Sequence, residues 1–198
     1  MKVRAIVLAA GEGRRMGGGK LTLPFGQTTI IRAVAGALLD VPVAGITTVV
    51  GHHADDVQAA LEGIPTAYAT NPDPERGMLS SVKFGIRAAG DDQDAFLIVL
   101  GDQPELDPRA IRDLIRAAET SDKWMFIPRF EGRRGHPVLF KSAARDGILA
   151  LPEKTGLNAW RDSHPELVEM VDVEAPEILH DIDTPDDYRD ALNRLDRH

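Results

Sequence analysis

The strongest constraint on the fold of this chain is a repeated alternation between short apolar runs and longer segments with helical spacing. The runs VRAIVLAA, GITTVVG, PTAYATN, AFLIVLG and WMFIPRF have the β-branched and apolar content of strands. Between them, residues 28–40, 53–62, 78–90 and 108–120 carry apolar side chains at helical spacing. This rhythm predicts a mainly parallel sheet with helices on both faces, which is a three-layer α/β/α sandwich.

The rhythm changes after Trp124. The stretch MFIPRFEGRRGHPVLF predicts two strands joined by a short turn that contains glycine, so the sheet is expected to be mixed. Farther on, the sequence predicts a helical patch near residues 141–150, a strand around VEMVDV and a last helix capped by Thr184, with Pro185 at its first position. Because the 198 residues contain no repeat and no linker-like stretch, we expect a single domain, 1–198.

Composition limits the classes of partner. The formal net charge of −8 argues against nucleic acid and anionic membranes, so a bound polyanion would need a local cluster of Lys and Arg, or a metal ion. The absence of cysteine excludes disulfides, thiolate metal sites and a cysteine nucleophile. The N-terminal apolar run is too short for a signal peptide, and no run approaches the roughly 18 residues of a membrane span. We therefore expect a cytoplasmic protein.

A glycine-rich, basic loop, GEGRRMGGGK at residues 11–20, follows the first predicted strand. It does not fit a dinucleotide fingerprint, because Met16 stands where the third glycine is required, and a P-loop would need glycine in place of Arg14. Small residues let a backbone approach a base or phosphates, while Arg15 and Lys20 can neutralise a triphosphate. Two interpretations remain: a nucleoside triphosphate site at the ends of parallel strands, or a basic loop that faces water.

Two further segments place carboxylates near predicted strand ends. Asp102 follows AFLIVLG, and both Asp181 and Asp183 lie in HDIDTP. Carboxylates that hold Mg²⁺ are a usual device for stabilising charge during phosphoryl and nucleotidyl transfer. Asp102 could equally be a turn or cap residue, and an Asp or Thr ahead of PDDY could cap the final helix. Alternation puts Asp181 and Asp183 on the same face, so the sequence does not choose between them.

Five motifs together resemble a known family. LAAGEGRRMGGGK is similar to the L-A-A-G-x-x-x-R-M-G-x-x-K signature of the MobA-like nucleotidyltransferases, in particular their molybdenum cofactor cytidylyltransferase branch. NPDPERGMLSSVKFGI, VLGDQP, RRGHPVLF and DIDTPDDY resemble further motifs of that branch, in its order. The resemblance implies a Rossmann-like nucleotidyltransferase fold and a Mg²⁺-dependent transfer of CMP from CTP to a phosphorylated small molecule such as molybdopterin, with release of pyrophosphate. It also implies a molybdoenzyme as a possible partner.

The resemblance implies roles for individual residues. The expected catalytic residues are Arg15, Lys20 and Asp102, and the expected metal ligands are Asp102 and Asp183, with Asp181 as the competing choice. The expected nucleotide site adds small and polar residues from two loops: Leu8, Ala9, Ala10, Gly11, Asn71, Gly77, Ser80 and Ser81. The expected acceptor side consists of Gln103, Arg134 and His136. Ala10 points to CTP, because the guanylyltransferase relatives carry LAGG where this chain has LAAG.

The segment LPEKTGLNAW departs from the branch. The branch usually carries an acidic residue before the glycine and Ala-Arg after it, whereas this chain has Thr155 before Gly156 and Leu157-Asn158 after it. Two alternatives therefore stay open. One is the same chemistry on a sugar, polyol or phospholactate phosphate, and the other is a role as a small-molecule oxidoreductase or a maturation partner of a molybdoenzyme.

Other conspicuous side chains are expected to have structural rather than functional roles. His52 and His53 are expected to be loop residues, because adjacent side chains diverge and no third ligand is spaced to join them. Trp124 and Trp160 are expected to pack in the core, and Met16 is expected to anchor the glycine loop there.

Overall fold

Eight strands form one mixed sheet in the computed structural model, which describes residues 1–152 and 154–196 apart from the side chain of Arg14. In chain order the strands are β1 (Val3–Ala9), β2 (Pro24–Phe25), β3 (Thr28–Thr29), β4 (Gly45–Val50), β5 (Thr66–Thr70), β6 (Ala95–Leu100), β7 (Met125–Phe130), β8 (Arg133–Arg134), β9 (Val138–Lys141) and β10 (Val168–Asp172). β2 and β3 form a separate two-stranded ribbon.

The helices follow the predicted segments closely. They are α1 (Ile30–Ala37), α2 (Ala54–Ala60), α3 (Met78–Ala89), α4 (Pro108–Thr120), α5 (Arg145–Ala150), α6 (Leu157–Ser163) and α7 (Pro185–Leu195). The sequence did not predict α6, and the helix expected from residue 28 begins later because residues 28 and 29 belong to β3. Thr184 caps α7 and Pro185 occupies its first turn, as predicted. No helix in the described part of the chain is long and apolar enough to cross a membrane.

The strand order explains why the sheet is mixed. The order is β10-β7-β9-β6-β1-β4-β5, with β8 beside β7. The central strand β1 is parallel to both of its neighbours, β4 and β6. β9 is antiparallel to both β6 and β7. The mainly parallel, mixed sheet that the sequence predicted is therefore confirmed.

The predicted hairpin after Trp124 is only partly correct. β7 pairs with β9 as the hairpin requires, but β7 also pairs with the short β8. The chain leaves the ladder at residues 135–137, where the peptide bond between His136 and Pro137 is cis. β9 then inserts between β6 and β7. This excursion carries His136 out of the sheet toward the strand ends.

Apolar side chains cover both faces of the sheet. Alternate residues of β1 point to opposite faces, with Val3 and Val7 in one core cluster and Ile6 in the other. The first cluster includes side chains of α1, α2, α4 and α7, and the second includes side chains of α3, α5 and α6. The predicted three-layer α/β/α sandwich is therefore confirmed. Trp160 and Trp124 pack in the second cluster and Met16 against the first, as expected.

Gly101 holds the end of β6 close to β1. Its backbone N–H donates to the carbonyl of Leu8 at 3.0 Å. A Cβ added at Gly101 would lie 2.6 Å from that carbonyl oxygen, which is too close for any side chain. The turn that carries Asp102 can therefore follow β6 directly, beside the end of β1.

We expect Gly101→Ala to lower the free energy of unfolding by about 1–3 kcal/mol, because the new methyl group must push two backbone segments apart. The matched control is Gly36→Ala in α1, where a Cβ meets nothing within 4 Å. That substitution should stabilise the protein by up to about 1 kcal/mol. Denaturant unfolding of both variants measures the difference, and an unchanged stability of Gly101→Ala would contradict the expectation.

Candidate functional site

The carboxyl ends of β1 and β6 meet at one edge of the sheet and border a cavity of about 310 Å³. Most of its lining was predicted from the sequence, namely Leu8, Ala10, Gly11, Ser81, Asp102, Asp181 and Asp183. Pro74, Met78 and Leu100 also line it and were not predicted. We call this space the donor cavity. Its position is the one where open α/β sheets bind ligands.

A cluster of charges stands at the edge of the donor cavity. The Lys20 ammonium donates to Asp102 Oδ2 at 2.7 Å and to Asp183 Oδ1 at 3.4 Å. Arg15 donates to the other oxygen of Asp183 at 2.9 Å. Lys20 is only 9% exposed, so its charge depends on these two carboxylates. Four of the predicted site residues thus converge from three separate segments of the chain.

The glycine loop delivers Lys20 to this cluster. Gly17, Gly18 and Gly19 all have positive φ angles of 62° to 91°, which L side chains rarely adopt. The chain therefore folds back on itself before Lys20 begins a short 3₁₀ turn. Met16 packs against the core below and anchors the loop. The glycines are thus needed for the path of the backbone.

The two carboxylates are not helix caps. Asp107, not Asp102, caps α4 by accepting from the backbone N–H of Arg109 at 2.7 Å. Thr184 caps α7 in a capping box with Asp187, so Asp183 is not the cap either. The backbone N–H of Ile182 donates to the carbonyl of Asp102 at 3.0 Å, which brings the two segments side by side. The cap interpretation therefore fails for Asp102 and Asp183.

Asp181 has a different environment from Asp183. Ile182 between them is buried, so both aspartates point to the same side and both line the donor cavity, as alternation predicted. Lys20 and Arg15 hydrogen-bond to Asp183 but not to Asp181. The charge cluster therefore includes Asp183.

Asn71 and Ser80 stabilise the backbone next to the donor cavity through hydrogen bonds. Asn71 is 1% exposed and donates to Ser80 Oγ at 2.8 Å and to Ser81 Oγ at 2.9 Å. Ser80 donates in turn to the carbonyl of Gly77. These bonds fix the start of α3 against the end of β5. Asn71, Ser80 and Gly77 therefore do not line the donor cavity, whereas Ser81 does. Ala9 is also buried beside the cavity rather than in its lining.

A second, larger cavity of about 490 Å³ lies beside the first, and we call it the acceptor cavity. Arg134 and His136 line it, as predicted, together with residues that sequence reasoning missed: Met78, Met125, Ile127, Gly135, Val138, Gly156, Leu157, Asn158 and Arg161. Gln103 does not line it, because its buried amide donates to the carbonyl of Ile178 at 3.4 Å.

Met78 connects the two cavities. It is the first residue of α3, is 53% exposed and lines both spaces. Helical periodicity places Met78 on a helix but gives no signal that this end is exposed between two cavities. The segment around Gly156, which departs from the family pattern, was the signal available for the acceptor cavity, since Leu157 and Asn158 lie in its wall.

The surroundings of His136 disfavour its protonated form on balance. Burial lowers the pKa of His136 from its ordinary value of 6.5, although Asp102, Asp181 and the backbone of Ile98 act in the opposite direction. Its Nδ1 atom is shielded from solvent and has no hydrogen-bond partner among the described residues.

His52 has neighbours that the sequence did not reveal. His52 and His53 do lie in the loop after β4, as predicted. Ligand atoms of Glu12, His52 and Glu75 all lie within 4.8 Å of one another, in a group that does not include His53. Three loops meet there through folding, which the linear spacing could not show. His52 and Glu75 are exposed.

Comparison with known proteins shows similarity along nearly the whole chain. The molybdenum cofactor cytidylyltransferase of Escherichia coli strain K12 is 29% identical over 97% of this chain and 96% of its own length. The nicotine blue oxidoreductase of Paenarthrobacter nicotinovorans is 28% identical over 92% of each chain.

Solved structures share the fold. A nucleotidyl transferase from Methanothermobacter thermautotroptrophicus has a TM-score of 0.82 at 27% identity, covering 99% of this chain and 98% of its own. Rv0371c of Mycobacterium tuberculosis H37Rv, solved with manganese, has a TM-score of 0.78 at 24% identity, covering 98% of this chain and 99% of its own.

The family comparison agrees with the sequence motifs. Residues 5–168 match the model described as the MobA-like NTP transferase domain, which is most of the chain. The chain therefore belongs to the MobA-like NTP transferase family, and it is an enzyme of the nucleotidyltransferase class.

Proposed function

We propose that this enzyme transfers a CMP unit from CTP to the phosphate of an acceptor, molybdopterin, and releases pyrophosphate. The observation that carries the proposal is the position of Lys20 between Asp102 and Asp183, at the strand ends and beside the donor cavity. Nucleotidyl transfer requires cations for the triphosphate and carboxylates for a metal ion in one place. This cluster provides both.

The donor half would bind the triphosphate through charge. Lys20 and Arg15 would contact its phosphates, and the backbone at Ala10 and Gly11 would lie against the nucleoside. Asp102 and Asp183 fit a Mg²⁺ ion, because they converge on one cation and Mg²⁺ is usually held by one or two carboxylates together with substrate phosphates. When bound, Mg²⁺ supplies charge stabilisation at the α-phosphate and the leaving pyrophosphate.

The acceptor half would place the attacking group. An oxygen of the acceptor phosphate forms a bond to the α-phosphorus while the bond to pyrophosphate breaks. Because that oxygen is already ionised near neutral pH, no strong general base is needed. The acceptor cavity adjoins the donor cavity at Met78, and Arg134 and His136 lie in its wall. Arg134 supplies charge there, and His136 supplies a buried polar nitrogen.

The choice of CTP and molybdopterin is the most specific part of the proposal. Ala10 lines the donor cavity, and LAAG resembles the cytidine-using branch, because the guanylyltransferase relatives carry LAGG there. The E. coli relative supports the acceptor by its name, and a molybdoenzyme that receives the product follows from the same proposal. Other phosphorylated acceptors would use the same donor half.

A second candidate function has one observation in its favour. The relative from P. nicotinovorans is an oxidoreductase and resembles this chain as closely as the cytidylyltransferase does. Fold alone does not separate the two activities. The cluster of Lys20, Arg15, Asp102 and Asp183 favours transfer, because hydride chemistry has no need of a cation between two carboxylates.

We expect CTP with Mg²⁺ to raise the thermal unfolding temperature, and GTP, ATP, UTP and NADPH to do so less. At about 100 times its dissociation constant, a ligand stabilises the folded state by roughly 2.7 kcal/mol. Lys20→Met should abolish the shift, and Lys123→Met, on the surface near β7, should retain it. Tighter binding of GTP than of CTP would contradict the choice of base. A shift with NADPH alone would favour the oxidoreductase.

We expect Asp102→Asn to lower pyrophosphate release with CTP and molybdopterin by about 100-fold or more, because the metal loses a charged ligand. The fold should persist, since asparagine can still accept from Lys20. Asp113→Asn on α4 is the matched control and should keep full turnover. Comparing Asp183→Asn with Asp181→Asn then identifies the second ligand. Turnover of Asp102→Asn near that of the parent would show that Asp102 does not hold the metal.

We expect His136 to titrate below 6.5, because burial disfavours its charged form. Since its pKa is lower in the folded state, the unfolded chain takes up the proton first as the pH falls. The contribution of His136 to stability is therefore complete above about pH 6.5 and is lost as the pH falls toward the folded pKa. NMR titration of the His136 ring measures this. A midpoint at or above 6.5 would show that the neighbouring carboxylates outweigh burial.

A further inference from the structure

The acceptor cavity has the size and lining of a small-molecule site. Its volume of about 490 Å³ lies within the range of about 300–1,000 Å³ that is usual for ligand pockets. Met125, Ile127 and Leu157 give it apolar walls. Arg134 and Arg161 add two guanidinium groups to the same lining. An apolar space with a few polar groups binds a ligand that has an apolar body and a polar or charged substituent.

The polar groups of the cavity belong to two different environments. The negative charges of Asp102 and Asp181 act on His136. Since both aspartates line the donor cavity, His136 lies on the side of the acceptor cavity that is nearest to it. Arg161 lies on α6 and donates from Nε to Asp162 at 2.7 Å. The pKa of Asp162 is lowered mainly by that hydrogen bond and also by the charges of Arg161 and Arg134, so both arginines lie near this carboxylate. This side of the cavity therefore carries one positive charge in excess.

Arg161 is placed to bind a ligand. Its side chain is 21% exposed, so its charge is partly withdrawn from water while it lines the cavity. Among the described residues only its Nε atom has a hydrogen-bond partner. The terminal nitrogens remain for a second contact, and a guanidinium binds a carboxylate or phosphate through two parallel hydrogen bonds.

We propose that Arg161, with Arg134, binds a second anionic group of the acceptor, distinct from the phosphate that attacks the nucleotide. The apolar walls, formed by Met125, Ile127 and Leu157, contact the body of the acceptor. The acceptor is thereby a compound with an apolar body and an anion at each of two positions. This inference rests on the proposed transfer for its substrate, but its test requires no transfer.

The experiment is equilibrium dialysis of the full chain, without nucleotide, against two pairs of probes. Each pair compares a carboxylate with a neutral analogue: pterin-6-carboxylate with 6-hydroxymethylpterin, and 2-naphthoate with 2-naphthamide. We expect at least one of the carboxylates to bind about 10-fold more tightly than its neutral analogue, which corresponds to about 1.4 kcal/mol. Arg161→Met should remove this preference, and Arg161→Lys should keep part of it. Arg116→Met, the same change on the exposed face of α4, should leave it intact.

Several outcomes overturn the subsite. These are equal binding of acid and neutral analogue in both pairs, no saturable binding of either carboxylate, or an unchanged preference in Arg161→Met. If Arg161→Met does not fold, Arg134→Met on the exposed β8 strand answers the same question. If the unmodified chain prefers the carboxylates but does not transfer CMP from CTP, the proposed function is refuted and the anion subsite remains supported.

Discussion

The arrangement of the site depends on one ion cluster, in which the ammonium of Lys20 lies between the carboxylates of Asp102 and Asp183. Two carboxylates so close would repel each other without a cation between them. Lys20 comes from the glycine loop, Asp102 from the turn after β6, and Asp183 from the segment before α7. The cluster therefore holds together three parts of the chain that are remote in sequence. In the proposed reaction a metal ion and a triphosphate would bind at this cluster. There the metal would replace Lys20 as the partner of the two carboxylates, and Lys20 would contact the phosphates.

Backbone contacts make that convergence possible. Gly101 lets the turn after β6 lie directly against Leu8, and the N–H of Ile182 reaches the carbonyl of Asp102. The capping box of Thr184 and Asp187 provides hydrogen-bond partners for backbone N–H groups at the start of α7, so the side chain of Asp183 is not needed there. The capping box leaves the Asp183 side chain free of a capping role, and the hydrogen bond from Ile182 places it beside Asp102. The charges are thus positioned by hydrogen bonds and glycines in the layer beneath them rather than by their own attraction alone.

The donor half could be predicted from sequence because its parts are local. Strand ends, the glycine loop and the residues after β6 each form a short motif, so Lys20 and Asp102 could be identified before the structure was known. The acceptor half could be predicted only at Arg134 and His136, because the rest of it is assembled from β7, the irregular residues before β9, and α6. Arg161 and Met78 look like ordinary helical residues in the sequence. Only the insertion of β9 between β6 and β7 turns this surface into a cavity, and strand order is not encoded in local periodicity.

The contrast between the two halves bears on how relatives with different names share this fold. A triphosphate presents the same charges whatever its acceptor, so a donor half built on Lys20 and two carboxylates can serve many reactions. The acceptor cavity is mostly apolar, and its shape changes with single side chains such as Leu157 or Met125. A partly buried lysine costs stability unless its partners compensate. An apolar residue at position 20 alone would leave Asp102 and Asp183 without their shared cation, so the ion cluster can change only as a unit, whereas the wall of the acceptor cavity can change one residue at a time.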